Sequence, residues 1–111
     1  MRKLLIAVLV TALAGALAAT AFAARTVKVG DNYFVRDNGD QHAISVSKGT
    51  RVVFRWVGDA AHNVAATSGP ETFRSKVKGG GSYRHRFDRK GTYKLVCEVH
   101  PTQMKLTVRV K

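Results

Sequence analysis

The chain has 111 residues, of which 45% are hydrophobic, 23% are charged and one is a cysteine. This length fits one small domain, and the lone Cys97 excludes an internal disulfide. The formal net charge of +12 at pH 7 excludes a neutral surface and favours partners of negative charge.

The first 23 residues have the pattern of a secretory signal peptide. Residues 2–3 are positive, residues 4–17 are almost entirely apolar, and residues 21–23 place alanines where a signal peptidase reads. The apolar run is too short for a transmembrane anchor. We therefore expect residues 1–23 to be cleaved, and residues 24–111 to form the mature domain in the periplasm or outside the cell.

The positive charge of the mature domain indicates which partners an exported protein would bind. Removing Arg2 and Lys3 from the total of +12 leaves +10 for the mature domain. Basic domains often bind nucleic acid, but export and the scattered positions of the basic residues argue against it here. We expect an acidic protein partner, and electrostatic contact with an anionic membrane surface is a second possibility.

After residue 24 the chain alternates short apolar and polar patterns with turn sequences, and it has no useful helical periodicity. In chain order, the alternation predicts strands at residues 26–29, 33–36, 44–46, 50–57, 83–87, 93–97 and 104–110. Residues 68–70 and 79–81 have turn sequences, and a short irregular strand is expected between them. Such a series of short strands is typical of an all-β sandwich or barrel.

The last two predicted strands orient two sulfur-containing side chains. Cys97 shares the inner face of its strand with Leu95, and Met104 shares the inner face of the next with Leu106. The six-residue loop between Cys97 and Met104 carries His100. All three side chains are therefore expected to converge at one end of the core.

A thiolate, an imidazole and a thioether form a donor set suited to copper, with His and Cys in a trigonal plane and Met as a long axial ligand. His62 is the candidate for the second histidine. Singly, Met and Cys are usually core residues, and a lone His is usually a loop residue. However, Cys97 is the only cysteine and Met104 the only methionine after Met1. Their occurrence around His100 favours a metal site.

These residues resemble the cupredoxins, the plastocyanin, pseudoazurin and amicyanin group of type 1 blue copper proteins. The similar segments are Asp31-Asn32-Tyr33-Phe34, Lys48-Gly49-Thr50, Trp56, His62-Asn63-Val64, residues 87–93 and the loop from Cys97 to Met104. The resemblance implies a single-domain Greek-key β-sandwich. It also implies that His62, Cys97 and His100 are equatorial copper ligands and that Met104 is axial.

The resemblance assigns further roles. It implies that Asn63 ties the two ligand loops together and that the ring edge of His100 is the electron port, with Pro101 and Thr102 shaping the contact patch. Trp56 is expected to pack in the core near the site without binding the metal. His42 and His85 are expected to be structural residues.

Two features differ from the family. Three residues separate His100 from Met104, where plastocyanins have four and amicyanins two. Glu98 follows Cys97, where the family usually has a small hydroxyl residue. We expect the side chain of Glu98 to point into solvent; the alternative is a carboxylate close enough to the copper to lower its reduction potential.

The expected function is one-electron transfer by a mobile, monomeric carrier with one copper ion. Val96 and Glu98 flank Cys97, so the adjacent histidine that leads to a second copper in oxidases and nitrite reductases is missing, and enzymatic activity is not expected. A binuclear copper centre would need two cysteines. Copper delivery or storage is the main alternative, although such proteins often use several methionines. A zinc-binding structural domain is a weaker alternative, because a thioether is a poor zinc ligand.

Overall fold

The computed structural model describes residues 24–34 and 43–111. These ranges hold eight strands: β1 (Ala24–Gly30), β2 (Tyr33–Phe34), β3 (Ala43–Val46), β4 (Thr50–Trp56), β5 (Ala65–Ser68), β6 (Ser82–Phe87), β7 (Gly91–Val96) and β8 (Lys105–Val110). Among the described residues, the structure has no helix long and apolar enough to cross a membrane.

The strands form two four-stranded sheets. Sheet A has the order β2-β1-β4-β6, and sheet B has the order β3-β8-β7-β5. Strand β1 runs parallel to β4 and β3 runs parallel to β8, whereas β7 and β8 form an antiparallel hairpin. These two mixed sheets form the predicted all-β Greek-key sandwich.

The core lies between the sheets because the strands alternate inward and outward side chains. In β4 the inward residues Val52, Phe54 and Trp56 are buried, whereas Arg51 and Arg55 are exposed, as the sequence predicts. The hairpin of β7 and β8 behaves in the same way: its inward side chains are buried up to the point where the strands end. The regular alternation therefore continues to the loop between these strands.

The short strand expected between residues 70 and 79 is not found in this described stretch, and the strand of this region, β5, lies before it. Strand β5 pairs with β7, and its register shifts between Ala66 and Ser68. Two isolated bridges, His62 with Lys78 and Ala65 with Arg74, hold the following segment against the sandwich. These bridges bring a segment with little sequence pattern next to His62.

Several sequence predictions fall outside the described residues. These are the signal peptide at residues 1–23, the second half of the strand predicted at 33–36, and His42. The predicted strands 93–97 and 104–110 are otherwise found with small differences. Strand β7 ends one residue before Cys97 and β8 begins one residue after Met104, so both side chains lie at the strand ends.

Candidate metal centre

The four predicted donor residues lie at one end of the sandwich. His62 lies in the connection after β4, Cys97 directly follows β7, and Met104 directly precedes β8. These three residues are fully buried, while His100, in the loop between Cys97 and Met104, is half-buried. His100 is thus the predicted ligand that reaches toward the surface.

Backbone hydrogen bonds fold the loop between Cys97 and Met104 into a compact turn. The N–H of Cys97 donates to the C=O of Met104 at 3.0 Å, and the N–H of Met104 donates to the C=O of His100 at 3.0 Å. The N–H of His100 donates to the C=O of Cys97 at 3.1 Å. The three-residue gap between His100 and Met104 therefore closes as a single turn with a hydrogen bond between residues four apart.

Two of the predicted donor atoms face each other at a distance suited to a shared ion. Nδ1 of His62 lies 3.8 Å from Sγ of Cys97. A first-row metal ion bonded to a thiolate at about 2.3 Å and to an imidazole at about 2.0 Å would hold the two atoms about 3.5–3.7 Å apart. The rings of His62 and His100 are also adjacent, with centroids 5.1 Å apart.

Within residues 24–34 and 43–111, no group of three or more His, Cys, Asp or Glu side chains is already arranged to hold an ion. The fit to a metal therefore rests on the pair His62 and Cys97 and on donor chemistry. Two imidazoles, one thiolate and one thioether form a mixed, partly soft set, and such a set suits copper.

Asp31 contacts His62 on the side away from Cys97. Its carboxylate lies 2.9 Å from Nε2 of His62 and accepts hydrogen bonds from the N–H groups of Asp59 and Ala60, each at 3.0 Å. The hydrogen bond from His62, followed by those from the two backbone groups, lowers the pKa of Asp31 to about 2. An ionised carboxylate can only accept hydrogen bonds. Nε2 of His62 therefore carries the proton, and Nδ1 of the same ring presents its lone pair toward Cys97.

The sequence prediction did not assign Asp31 a role in the site. The sequence feature that could have indicated such a role is the position of Asp31 in the turn that directly follows β1. Because β1 runs parallel to β4, with Val29 opposite Trp56, the ends of both strands meet at the edge of the sheet where His62 lies. Finding Asp31 requires this pairing, which alternation alone does not specify.

Asn63 ties the two ligand loops together, as the resemblance predicts. Its Nδ2 donates to Oε1 of Glu98 at 2.7 Å, and its Oδ1 accepts from the N–H of Glu98 at 2.7 Å. The expectation that Glu98 points into solvent is wrong for its carboxylate, which is turned toward Asn63. The side chain of Glu98 is nevertheless 38% exposed.

Arg74 holds Glu98 in this orientation through two of the three nitrogens of its guanidinium group. Nε lies 2.7 Å from Oε1 and Nη2 lies 2.9 Å from Oε2 of Glu98. The hydrogen bond from Arg74, followed by that from Asn63, lowers the pKa of Glu98. Glu98 thus replaces the small hydroxyl residue of the family with a longer side chain, and it pairs with Arg74 from the segment after β5.

Trp56 is buried, as predicted, and its Nε1–H donates to the C=O of His62 at 3.1 Å. His85 has the predicted structural role: its ring stacks on Phe73, with centroids 3.8 Å apart, and Nε2 lies 3.2 Å from Oε1 of Glu71. His85 is therefore occupied by contacts away from the donor cluster.

The amino-acid sequence is similar to that of a known family over most of its length. Residues 27–111 match the family described as copper binding proteins of the plastocyanin/azurin family. The chain belongs to this family. It is a cupredoxin of the type 1 copper class, its cofactor is a single copper ion, and it is a copper-binding protein of the electron-transfer type. No curated protein matches its sequence.

Solved structures similar to this cupredoxin have the same fold. A purple cupredoxin from Nitrosopumilus maritimus is 23% identical, with a TM-score of 0.63, over 78% of this chain and 99% of that one. A proline-to-glycine mutant of amicyanin, in its reduced Cu(I) form, is 22% identical, with a TM-score of 0.66, over 85% of this chain and 88% of that one.

A third similar structure belongs to a much longer protein. The copper-containing nitrite reductase from Thermus scotoductus is 27% identical, with a TM-score of 0.63, over 82% of this chain. This cupredoxin spans only 22% of the reductase chain. The similarity therefore concerns one part of that enzyme.

Proposed function

We propose that this cupredoxin is a mobile one-electron carrier and that His62, Cys97, His100 and Met104 would hold its copper. The observation that carries the proposal is the buried pair of Nδ1 of His62 and Sγ of Cys97, 3.8 Å apart. The hydrogen bond to Asp31 on the opposite side of the His62 ring supports it, because this bond leaves Nδ1 free to bind a metal.

Bound copper would cycle between Cu(II) and Cu(I), which would let the protein accept one electron from a donor and pass it to an acceptor. Cys97 binds as a thiolate and releases its proton when the metal is loaded. The burial of His62, Cys97 and Met104 excludes water from their donor atoms and limits side-chain movement. Rigid ligands favour fast electron transfer because little rearrangement accompanies the change in charge.

His100 is the proposed electron port because it is the donor residue that is only half-buried. The residues beside it carry no charge: Val99 is 47% exposed, and Pro101, Thr102 and Gln103 are exposed. A small neutral patch of this kind suits a weak, transient contact between redox proteins. We propose that the protein acts as a monomer, and that its positive charge accelerates association with an acidic partner at low salt.

We also propose that the protein is not an enzyme and that it works outside the cytoplasm. Val96 and Glu98, the neighbours of Cys97, are not metal-binding histidines, so the chain offers no relay from the proposed site to a second copper. Export depends on the predicted cleavage after residue 23. N-terminal sequencing of the exported protein tests this step and should find a start at or next to Ala24.

Loading with Cu(II), followed by optical spectroscopy and voltammetry, tests the electron-transfer function. The expected result is intense visible absorption from thiolate-to-copper charge transfer, with a reversible one-electron wave. Cys97→Ser should abolish the colour, and Met104→Leu should keep it but shift the potential. His85→Asn serves as the control histidine and should change neither.

Copper delivery or storage predicts a different result. A colourless complex, or rapid loss of copper to a weak chelator, would contradict the carrier function and favour copper handling. Retention of the wild-type colour in Cys97→Ser would contradict the proposed ligand set.

A further inference from the structure

The outer face of sheet A carries a dense group of positive side chains, which we call the basic face. It consists of Lys28 on β1, Arg51 and Arg55 on β4, and Arg84 and Arg86 on β6, all of them exposed. None of the eight described strands contains an Asp or a Glu. The three strands are neighbours in the sheet, so the five side chains form one continuous surface.

The strand register places like charges directly opposite each other on this face. Arg51 lies opposite Arg86 in the antiparallel pair of β4 and β6, and Lys28 is aligned with Arg55 in the parallel pair of β1 and β4. Like charges opposite each other destabilise a sheet. Asp88 balances part of this charge, because its carboxylate lies 2.8 Å from Nε of Arg86. Arg51, Arg55 and Arg84 lie on the same face as Arg86, and this concentration of positive charge favours an external anionic partner.

The composition of the basic face favours a membrane over a protein as that partner. Its middle is formed by the half-buried Val53, aligned with Thr26 on one side and Arg84 on the other. Protein interfaces usually contain aromatic or large apolar anchors, and the middle of this face has none. Four of its five charges are arginines, whose planar guanidinium groups bind phosphate through two parallel hydrogen bonds.

We propose that the basic face binds the headgroup phosphates of an anionic lipid bilayer. Its side chains lie along the strands, whereas the predicted copper ligands lie beyond the strand ends. Docking through the side of the sandwich therefore leaves His100 accessible to a redox partner. The value of this orientation for electron transfer rests on the proposed function, whereas lipid binding itself does not require copper.

Co-sedimentation with vesicles tests the proposal. The protein purified after export is mixed, with and without copper, with vesicles of phosphatidylglycerol and phosphatidylcholine in about 0.1 M salt. Each Lys or Arg near an anionic surface contributes about fivefold to binding, so Arg55→Gln combined with Arg84→Gln should weaken it about 30-fold. The matched control, Lys105→Gln combined with Arg109→Gln, removes the same charge from the outer face of sheet B and should weaken it less than about fivefold.

The outcomes separate the proposal from its alternatives. Equal losses for the two double variants would overturn it, because the net charge and not the basic face would then control binding. Binding to pure phosphatidylcholine vesicles would also overturn it. If wild-type protein ignores anionic vesicles but binds poly-glutamate at the same salt, the face is a docking site for acidic proteins instead. Vesicle binding is measured without using the copper colour, so failure of the electron-transfer function would be seen separately.

Discussion

The carboxylate of Asp31 holds Nε2 of His62 at 2.9 Å, while Nδ1 of the same ring faces Sγ of Cys97 at 3.8 Å. The imidazole thus lies between an anion and a proposed copper ligand. Carboxylates in this position orient the ring and raise its basicity as a ligand. An anion beside the ring should stabilise Cu(II) more than Cu(I), so Asp31 should lower the reduction potential.

Replacing Asp31 by Asn should raise the reduction potential. The amide oxygen can still accept the hydrogen bond from His62, but the negative charge is lost. Loss of such a carboxylate weakens metal binding about 10–100-fold. Each tenfold loss of affinity for Cu(II), with the affinity for Cu(I) unchanged, raises a one-electron reduction potential by about 59 mV. Protein-film voltammetry measures the change.

Asp59→Asn is the control for this prediction. It removes a carboxylate from the loop that carries His62, and it keeps the backbone N–H that Asp59 donates to Asp31. An equal rise in both variants would indicate a general charge effect and would contradict a specific role for Asp31.

The buried Asn63 should stabilise the connection between the ligand loops. Asn63→Ala removes two hydrogen bonds of 2.7 Å to Glu98. At about 1 kcal/mol for each bond, the free energy of unfolding of the copper-free protein should fall by about 2 kcal/mol. Denaturant unfolding measures the loss, and copper should also leave the variant faster.

Glu98→Gln tests whether hydrogen bonding or charge matters at this link. The amide oxygen keeps an acceptor for Asn63, while the ionic contact with Arg74 is lost. We expect a smaller loss of stability than in Asn63→Ala, because ion pairs between exposed groups contribute little. A larger loss of stability in Glu98→Gln than in Asn63→Ala would show that the contact with Arg74 contributes more to stability than the hydrogen bonds to Asn63.

Sequence alone predicts the layers of the fold and the positions of the four proposed donor residues better than it predicts the side chains that hydrogen-bond to them and to their loops. Strict alternation through β7 and β8 places Cys97 and Met104 at the inner ends of a hairpin. Asp31 and Arg74 were missed because their partners lie 31 and 24 residues away, on other loops. Alternation determines which face of a strand is buried, but it does not determine which loops meet.

Copper should contribute a large part of the stability of this domain. A ligand that binds only the folded state, at a concentration 1,000 times its dissociation constant, adds about 4.1 kcal/mol. For a domain of 60–100 residues this raises the melting temperature by roughly 15–30 °C. Calorimetry of copper-loaded and copper-free protein measures the difference, which Cys97→Ser should largely remove. Equal melting temperatures with and without copper in the wild-type protein would contradict the prediction.

The buried phenol of Tyr93 should make the protein less stable in alkaline solution. Its O–H donates to the C=O of Arg89 at 2.7 Å, and its ring packs edge-on against Phe87. Burial raises the pKa of Tyr93 above its ordinary value of 10.0, and burial raises the pKa of Tyr83 in the same direction. With a raised pKa in the folded state, the stabilisation is complete below pH 10 and is lost as the pH rises from there toward the folded-state pKa.

Tyr93→Phe should therefore flatten the fall in stability above pH 10. At pH 7 the same variant should be about 1 kcal/mol less stable, because it loses the hydrogen bond to Arg89. Urea unfolding of copper-free protein between pH 7 and pH 11 measures both effects. The Cys97→Ser background removes the thiol from the comparison. If the two proteins lose stability in parallel above pH 10, ionisation of Tyr93 does not limit alkaline stability.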